Sequence, residues 1–180
     1  MHKLCGIDEA GRGPLAGDLV MAGVILLDEI EGLMDSKVLS EKKRETLYPK
    51  ILEKSLYHIV SFSPKQIDKI GLSKCLGKGL EEIMKNLEAK VYLFDGNQTF
   101  GILGISTMVK ADAKIPEVSA ASILAKVTHD RAIREASKIY PLYGFEKHKG
   151  YGTKTHISAI KEHGYCDIHR RSFKVKSLYS

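Results

Sequence analysis

Asp8 and Glu9 stand side by side in Gly6-Ile7-Asp8-Glu9-Ala10-Gly11-Arg12-Gly13-Pro14, at the end of a short apolar run and against a glycine-rich turn that carries an arginine. Two like charges about 4 Å apart repel by roughly 4 kcal/mol at an effective dielectric near 20, so a pair held at a strand end needs a cation. Two readings follow: a hydrated acidic turn, or half of a divalent-metal site. Asp95 closes the run Val91-Tyr92-Leu93-Phe94, and Asp112 follows Ile105 to Val109 in Lys110-Ala111-Asp112-Ala113-Lys114. In a sheet with parallel central strands, such strand ends gather into one crevice. Taken singly, each carboxylate reads as a turn former or cap. Four in the same topological position favour a site for hard cations such as Mg²⁺ or Mn²⁺. The chemistry that fits is metal-assisted phosphodiester hydrolysis, in which two cations activate a water and neutralise the leaving 3′-oxygen without a Ser, Cys or His nucleophile.

The elements that must position these groups are legible in the hydrophobic pattern. Leu4 to Asp8, Leu19 to Leu27, Tyr57 to Phe62, Val91 to Asp95 and Ile102 to Val109 read as strands. Successive side chains of a strand alternate faces, so Asp8 is expected to end its strand and the glycine turn to bend Glu9 back toward the same pocket. Ser40 is expected to cap a charged helix over 41–54, which Pro49 kinks or breaks in two. Ser63-Pro64 opens a short helix. Leu72, Leu76, Leu80, Ile83 and Leu87 predict an amphipathic helix, and Pro116 begins a long one with Ile123, Leu124 and Val127 buried and Ala120 and Ala121 close to the sheet. Thr155 is expected to cap a last helix ending at Gly164. The order implies a mixed sheet with helices on its faces.

Composition narrows the class. The 180 residues suit one domain, taken as 1–180 with a short basic C-terminal segment. No apolar run approaches the ~20 residues of a membrane span, and Met1-His2-Lys3-Leu4-Cys5 lacks a signal-peptide core, so a cytoplasmic location is expected. Cys5, Cys75 and Cys166 have no CxxC spacing and read as buried or incidental thiols. The formal charge of +6 favours a polyanionic partner. Lys147, Lys149, Lys154, Lys161, Arg170, Arg171, Lys174 and Lys176, interleaved with Tyr143, Phe145, Tyr151, Tyr165 and Phe173, suit nucleic acid, although a solvated basic face is the plainer alternative. Gly6-x4-Gly11-Arg12-Gly13 misses the Lys-[Ser/Thr] of a P-loop. His148, His156, His163 and His169 match no zinc spacing and are expected at the surface or facing phosphate.

Gly6 to Gly17, Asp35-Ser36-Lys37, Phe94-Asp95-Gly96, Lys110 to Lys114, Ala120 to Val127 and His148-Lys149-Gly150-Tyr151 together resemble type 2 ribonuclease H (ribonuclease HII), in family order and over nearly the whole chain. The resemblance implies an α/β RNase H-like fold, a five-stranded mixed sheet flanked by helices, and a catalytic quartet of Asp8, Glu9, Asp95 and Asp112 holding Mg²⁺ or Mn²⁺. It implies as substrate the RNA strand of RNA/DNA hybrids and single ribonucleotides in duplex DNA, cut to leave 3′-hydroxyl and 5′-phosphate ends, with a role in removing misincorporated ribonucleotides. By the same resemblance Gly11, Arg12 and Gly13 grip the ribonucleotide, Tyr151 stacks on the following deoxyribose, and Ser36 and Lys37 touch backbone phosphate. The 2′-hydroxyl is the feature that distinguishes RNA at such a site. Ser122 and Lys126 support the site from their helix, and Asp130 either faces inward or pairs with Arg131 or Arg134. Asp18 departs from the proline usual after Ala-Gly. Type 3 relatives, with an added N-terminal domain and no Gly-Arg-Gly loop, fit less well. Ser177-Leu178-Tyr179-Ser180 offers no clear peptide for a replication clamp, and a monomer is expected. A basic nucleic-acid-binding module with structural acids is the alternative that the complete quartet opposes.

Overall fold

Leu19 to Leu26 form a strand, β2 (Leu19–Leu26), buried on both sides. Leu19, Met21 and Ile25 face one helical layer and Val20, Ala22 and Val24 the other, the period of two that an extended chain dictates. The computed structural model describes residues 2–33 and 38–175, so Ser36 and Lys37 lie outside the described residues. Within them, β1 (His2–Ala10), β2, β3 (Ser55–Phe62), β4 (Ala89–Asp95) and β5 (Ile105–Met108) form one five-stranded sheet in the order β3-β2-β1-β4-β5. β1 and β3 run antiparallel to β2, while β1, β4 and β5 are parallel. The mixed sheet expected from the sequence is present.

Among the described residues the α-helices that accompany it are α1 (Glu41–Glu53), α2 (Pro64–Ile70), α3 (Leu72–Asn86), α4 (Pro116–Ile139), α5 (Phe145–His148) and α6 (Lys154–His163). Cys75, Leu76, Leu80 and Ile83 of α3 cover one face of the sheet. The other face is covered by Leu47 and Ile51 of α1 and by the Ala120 to Val127 stripe of α4. α4 closes tightly on β1 because Gly6 has no side chain, since a Cβ there would lie 2.3 Å from the backbone of Glu117 and Val118.

Four local expectations need correction. β1 continues through Glu9 to Ala10, where Glu9 pairs with Met21 and Ala10 with Val20, so the strand does not end at Asp8. Pro49 does not divide α1, because buried Leu47 and Ile51 on either side of it pack into the same layer and hold both halves in line. β5 begins at Ile105 rather than Ile102, since Phe100, Gly101 and Gly104 have φ of 53°, 82° and 80°, which extended backbone excludes. Thr153, not Thr155, caps α6, its hydroxyl accepting from the His156 N–H at 3.3 Å. Starting the helix at Lys154 places His156, Ala159 and Ile160 on one buried face.

Candidate active site

The parallel pairing of Ile7 with Phe94 sets Asp8 beside Asp95 at the C-terminal ends of adjacent strands. Asp112 joins them from a 3₁₀ turn, Ala111–Ala113, just past β5. That turn is tied to β4 by the Ala111 N–H, which donates to Asp95 Oδ1 at 3.1 Å. Among the described residues, Asp8, Asp95 and Asp112 form a group whose carboxylate oxygens lie within 4.8 Å of one another. Asp8 is 6% exposed and Asp112 1%, so most of this negative charge is withdrawn from water.

Glu9 reaches the same cavity by another route. It has the strand parity of Cys5 and Ile7, which face α3, whereas Asp8 hydrogen-bonds Ser122 of α4. The cavity wraps around the end of β1 and receives both side chains without any break in alternation, which is the physical reason the expected bend is absent. Glu9 Oε1 pairs with the Arg12 guanidinium at 3.3 Å, while Oε2 is buried without a hydrogen-bond partner. Burial and then the neighbouring Glu9 charge push the Asp8 carboxyl well above the usual carboxylate range, against hydrogen bonds from Ser122 and the Glu9 N–H. Burial raises Glu9 as well, against the pull of Arg12. Crowded oxygen donors, withdrawn from water and, among the described residues, grouped with no histidine or cysteine, fit a hard divalent cation.

The cavity has a volume of about 580 Å³, and Gly11, Arg12, Gly13 and Tyr151 form a second part of its wall. Gly11 has φ +85°, and a Cβ there would meet the Asp18 carbonyl at 2.4 Å and the His129 ring at 2.6 Å. The turn therefore seats directly on α4. At Gly13 a Cβ would touch Tyr151 Cε1 at 3.6 Å, so the glycine leaves the space beside the ring open. Tyr151 is 44% exposed, a ring presented to the cavity rather than packed away. Ser122 and Lys126 line the cavity from α4, and Arg44 and Lys110 add positive charge that the motif reading missed. Arg44 lies in the basic start of α1, a signal present in Lys42-Lys43-Arg44 but not specific to a site. Asp130 pairs with neither Arg131 nor Arg134; it accepts from Lys126 Nζ at 2.9 Å and lies 3.0 Å from His129 Nδ1.

The C-terminal basic and aromatic cluster needs a larger correction. Arg170 is 1% exposed, and its guanidinium donates to the carbonyls of Gly11, Arg12 and Gly17 at 2.5, 3.2 and 2.9 Å. Tyr143 and Phe145 stack on each other in a buried cluster, and His148, His156 and His169 are buried beside them; only His163 of the four histidines is exposed. Aromatic and imidazole rings at this density bury more area than a solvated face permits, which is why they form a core. Lys147, Lys154, Lys161, Arg171 and Lys174 remain exposed, as a basic surface requires.

Among the described residues no helix is long and apolar enough to cross a membrane. The family model described as "Ribonuclease HII" matches residues 5–176. Ribonuclease HII of Sulfurovum sp. (strain NBC37-1) is 66% identical over 175 residues, covering 97% of this chain and 93% of its own length. That of Aliarcobacter butzleri is 61% identical over 180 residues, covering 99% and 94%. Among solved structures, the PCNA:RNase HII complex from Archaeoglobus fulgidus superposes with a TM-score of 0.85 at 29% identity, covering 98% of this chain and 97% of that one. Ribonuclease H2 from Pyrococcus horikoshii OT3 gives 0.76 at 28%, covering 95% and 93%. With the five-stranded sheet of the RNase H-like fold, three clustered carboxylates and a fourth in the same cavity wall, these matches place the chain in the ribonuclease HII family of metal-dependent endoribonucleases.

Proposed function

We propose that this protein cuts the RNA strand of RNA/DNA hybrids and the backbone at single ribonucleotides embedded in duplex DNA, leaving 3′-hydroxyl and 5′-phosphate ends, and so removes misincorporated ribonucleotides. The observation that carries this is one cavity lined both by carboxylates and by the Gly11–Gly13 turn and Tyr151. Asp8, Glu9, Asp95 and Asp112 are assigned as ligands of two Mg²⁺ or Mn²⁺ ions. Bound there, such ions supply the activated water and the charge stabilisation of phosphodiester hydrolysis. Ser122 orients Asp8 through its hydrogen bond. Lys126, Arg44 and Lys110 bring positive charge to the wall that a phosphate backbone would approach.

Recognition falls to the turn and Tyr151. Backbone groups of Gly11, Arg12 and Gly13 meet the ribose and its 2′-hydroxyl, which fits a turn whose carbonyls are already engaged inside the protein. Tyr151 stacks on the next sugar, where deoxyribose fits and a 2′-hydroxyl would obstruct it. Ser36 and Lys37 retain the phosphate-contacting role that the family motif assigns. A duplex containing one ribonucleotide, incubated with Mg²⁺, Mn²⁺ or EDTA, tests the assignment. Cleavage at the ribonucleotide with either metal and none in EDTA is expected; metal-independent cutting, or none with either ion, would remove it.

A further inference from the structure

The segment Cys166 to Arg170 does not line the cavity, yet it is tied to two separate parts of its lining, the Gly11–Gly13 turn directly and Tyr151 through His156. Its backbone threads between them: the Gly17 N–H donates to Ile168 O at 2.9 Å and the Arg170 N–H to Leu15 O at 2.8 Å, while the Leu15 N–H donates to Gly150 O at 2.8 Å. From there two side chains reach in opposite directions. Arg170 takes the carbonyls of Gly11 and Arg12 into the interior, with Gly17 O as a third acceptor. Its side chain also lies over the Phe173 ring, 5.1 Å from guanidinium carbon to centroid.

His169 reaches Tyr151 through His156. The Cys166 N–H donates to His169 Nδ1 at 2.9 Å, so the proton of that ring sits on Nε2. Nε2 of His169 lies 3.0 Å from His156 Nε2, which must then be the acceptor, and His156 carries its proton on Nδ1. That Nδ1–H lies 2.9 Å from the carbonyl of Tyr151. The third ring, His148, is stacked on His156 at 4.4 Å; its Nδ1 accepts from the Gly150 N–H at 3.3 Å, and its Nε2 donates to Tyr143 O at 2.8 Å. Each ring nitrogen of the three histidines is satisfied in a single set of neutral tautomers, and the relay runs in one direction, from Cys166 to Tyr151.

We infer that His169 and Arg170 are positioning residues, two arms of one brace that fixes the Gly11–Gly13 turn relative to Tyr151 and thereby sets the fit to a ribonucleotide followed by a deoxyribonucleotide. This rests on the ribonucleotide-reading role proposed above. The brace is anchored from outside by Asp68 of α2, whose carboxylate accepts from the N–H groups of Arg171 and Ser172 at 2.9 Å each and from the Ser172 hydroxyl. A guanidinium is needed at 170 because three carbonyls in different directions require a fork of donors, and a lysine ammonium on a flexible stem cannot hold all three in place. Asp18 faces this guanidinium and favours its charge, which gives the acidic departure at that position a physical role.

The test compares kcat and KM on two substrates, a DNA duplex with one embedded ribonucleotide and a continuous RNA/DNA hybrid, for the wild type, Arg170→Lys and Asp68→Ala, with melting temperature measured alongside. A continuous hybrid presents ribose at every register and no RNA–DNA junction, so it is the less sensitive substrate. Arg170→Lys is expected to lose about 10- to 100-fold in kcat/KM on the embedded ribonucleotide, the scale of an ångström-sized misplacement. The hybrid should lose far less, and Asp68→Ala should shift the ratio the same way by a smaller factor. Equal losses on both substrates, or an unchanged ratio in Arg170→Lys, would overturn the brace. If Arg170→Lys does not fold, an unchanged ratio in Asp68→Ala overturns it. A wild type that does not cut at the embedded ribonucleotide instead overturns the function proposed above, and the brace with it.

Discussion

The carboxylate wall stands on parallel strands and the 3₁₀ turn just past them, with like charges crowded together, whereas the wall of Gly11–Gly13 and Tyr151 is irregular backbone whose polar groups are engaged. On the first, Asp8 and Glu9 are buried against their own repulsion and Glu9 Oε2 has no hydrogen-bond partner. On the second, Arg170 takes up loop carbonyls, His169 and His156 bond each other, and His156 and His148 hold the 148–151 segment. The contrast separates two needs. Charge that is to meet a cation must be held in place against its own repulsion, and regular strands hold it there rigidly. A loop that is to measure a sugar has no regular hydrogen bonding of its own, so side chains must over-determine its shape.

Removing a charge from the first wall gives the largest effect. Asp95→Asn is expected to lower turnover by about a thousandfold, corresponding to the several kcal/mol that bound metal supplies to the transition state, with fold and substrate binding kept. Near-normal steady-state rates would take Asp95 out of the site. Next in size is stability. Mg²⁺ or Mn²⁺ at about 100 times its dissociation constant should stabilise the protein by about 2.7 kcal/mol, roughly 5 to 10 °C in melting temperature. Asp8→Asn should melt higher than wild type without metal and lose most of the gain with it; a metal-free variant that melts lower would show that the crowding costs nothing.

Smaller effects belong to the second wall. Tyr151→Ala is expected to lose about tenfold in kcat/KM on a single embedded ribonucleotide, the scale of one stacking contact, and less on a continuous hybrid. Equal losses would assign the ring to packing. The histidine relay should show in the pH dependence of stability. Burial lowers the pKa of His156, and holds His169 down at about 4 with the help of the His156 charge, against an ordinary value of 6.5. A histidine depressed in the folded state contributes its stability above the unfolded pKa, and that contribution fades as pH falls from about 6.5 toward about 4. Melting at pH 5 should therefore lie below that at pH 7 by about 2 to 4 °C, equivalent to about 1 kcal/mol in a chain of this size. His156→Phe should flatten that dependence, and an unaltered slope would exclude the relay as its source.

Local pattern carried much of the molecule. The continuous apolar run Leu19 to Leu26, the apolar stripe of α3, Pro116 at the start of α4 and the opening of α2 at Ser63-Pro64 all follow from nearest neighbours along the chain. Asp95 was legible because β4 ends on it, while Asp8 lies two residues inside the end of β1 and Asp112 in the turn that follows β5. Where packing competes with local preference, the pattern misled. Pro49 sits inside a continuous helix because Leu47 and Ile51 are held, and Glu9 stays in its strand because Met21 pairs with it.

Arg170 and His169 mark the limit most sharply. In sequence they stand in a basic, histidine-containing stretch that reads as a surface for phosphate. Composition alone determined that the chain carries excess positive charge and a buried sheet, since those depend on residue counts and short-range order. Which cations face solvent and which are drawn inside depends on acceptors more than 150 residues away, the carbonyls of Gly11, Arg12 and Gly17, that only the closed tertiary structure brings within reach.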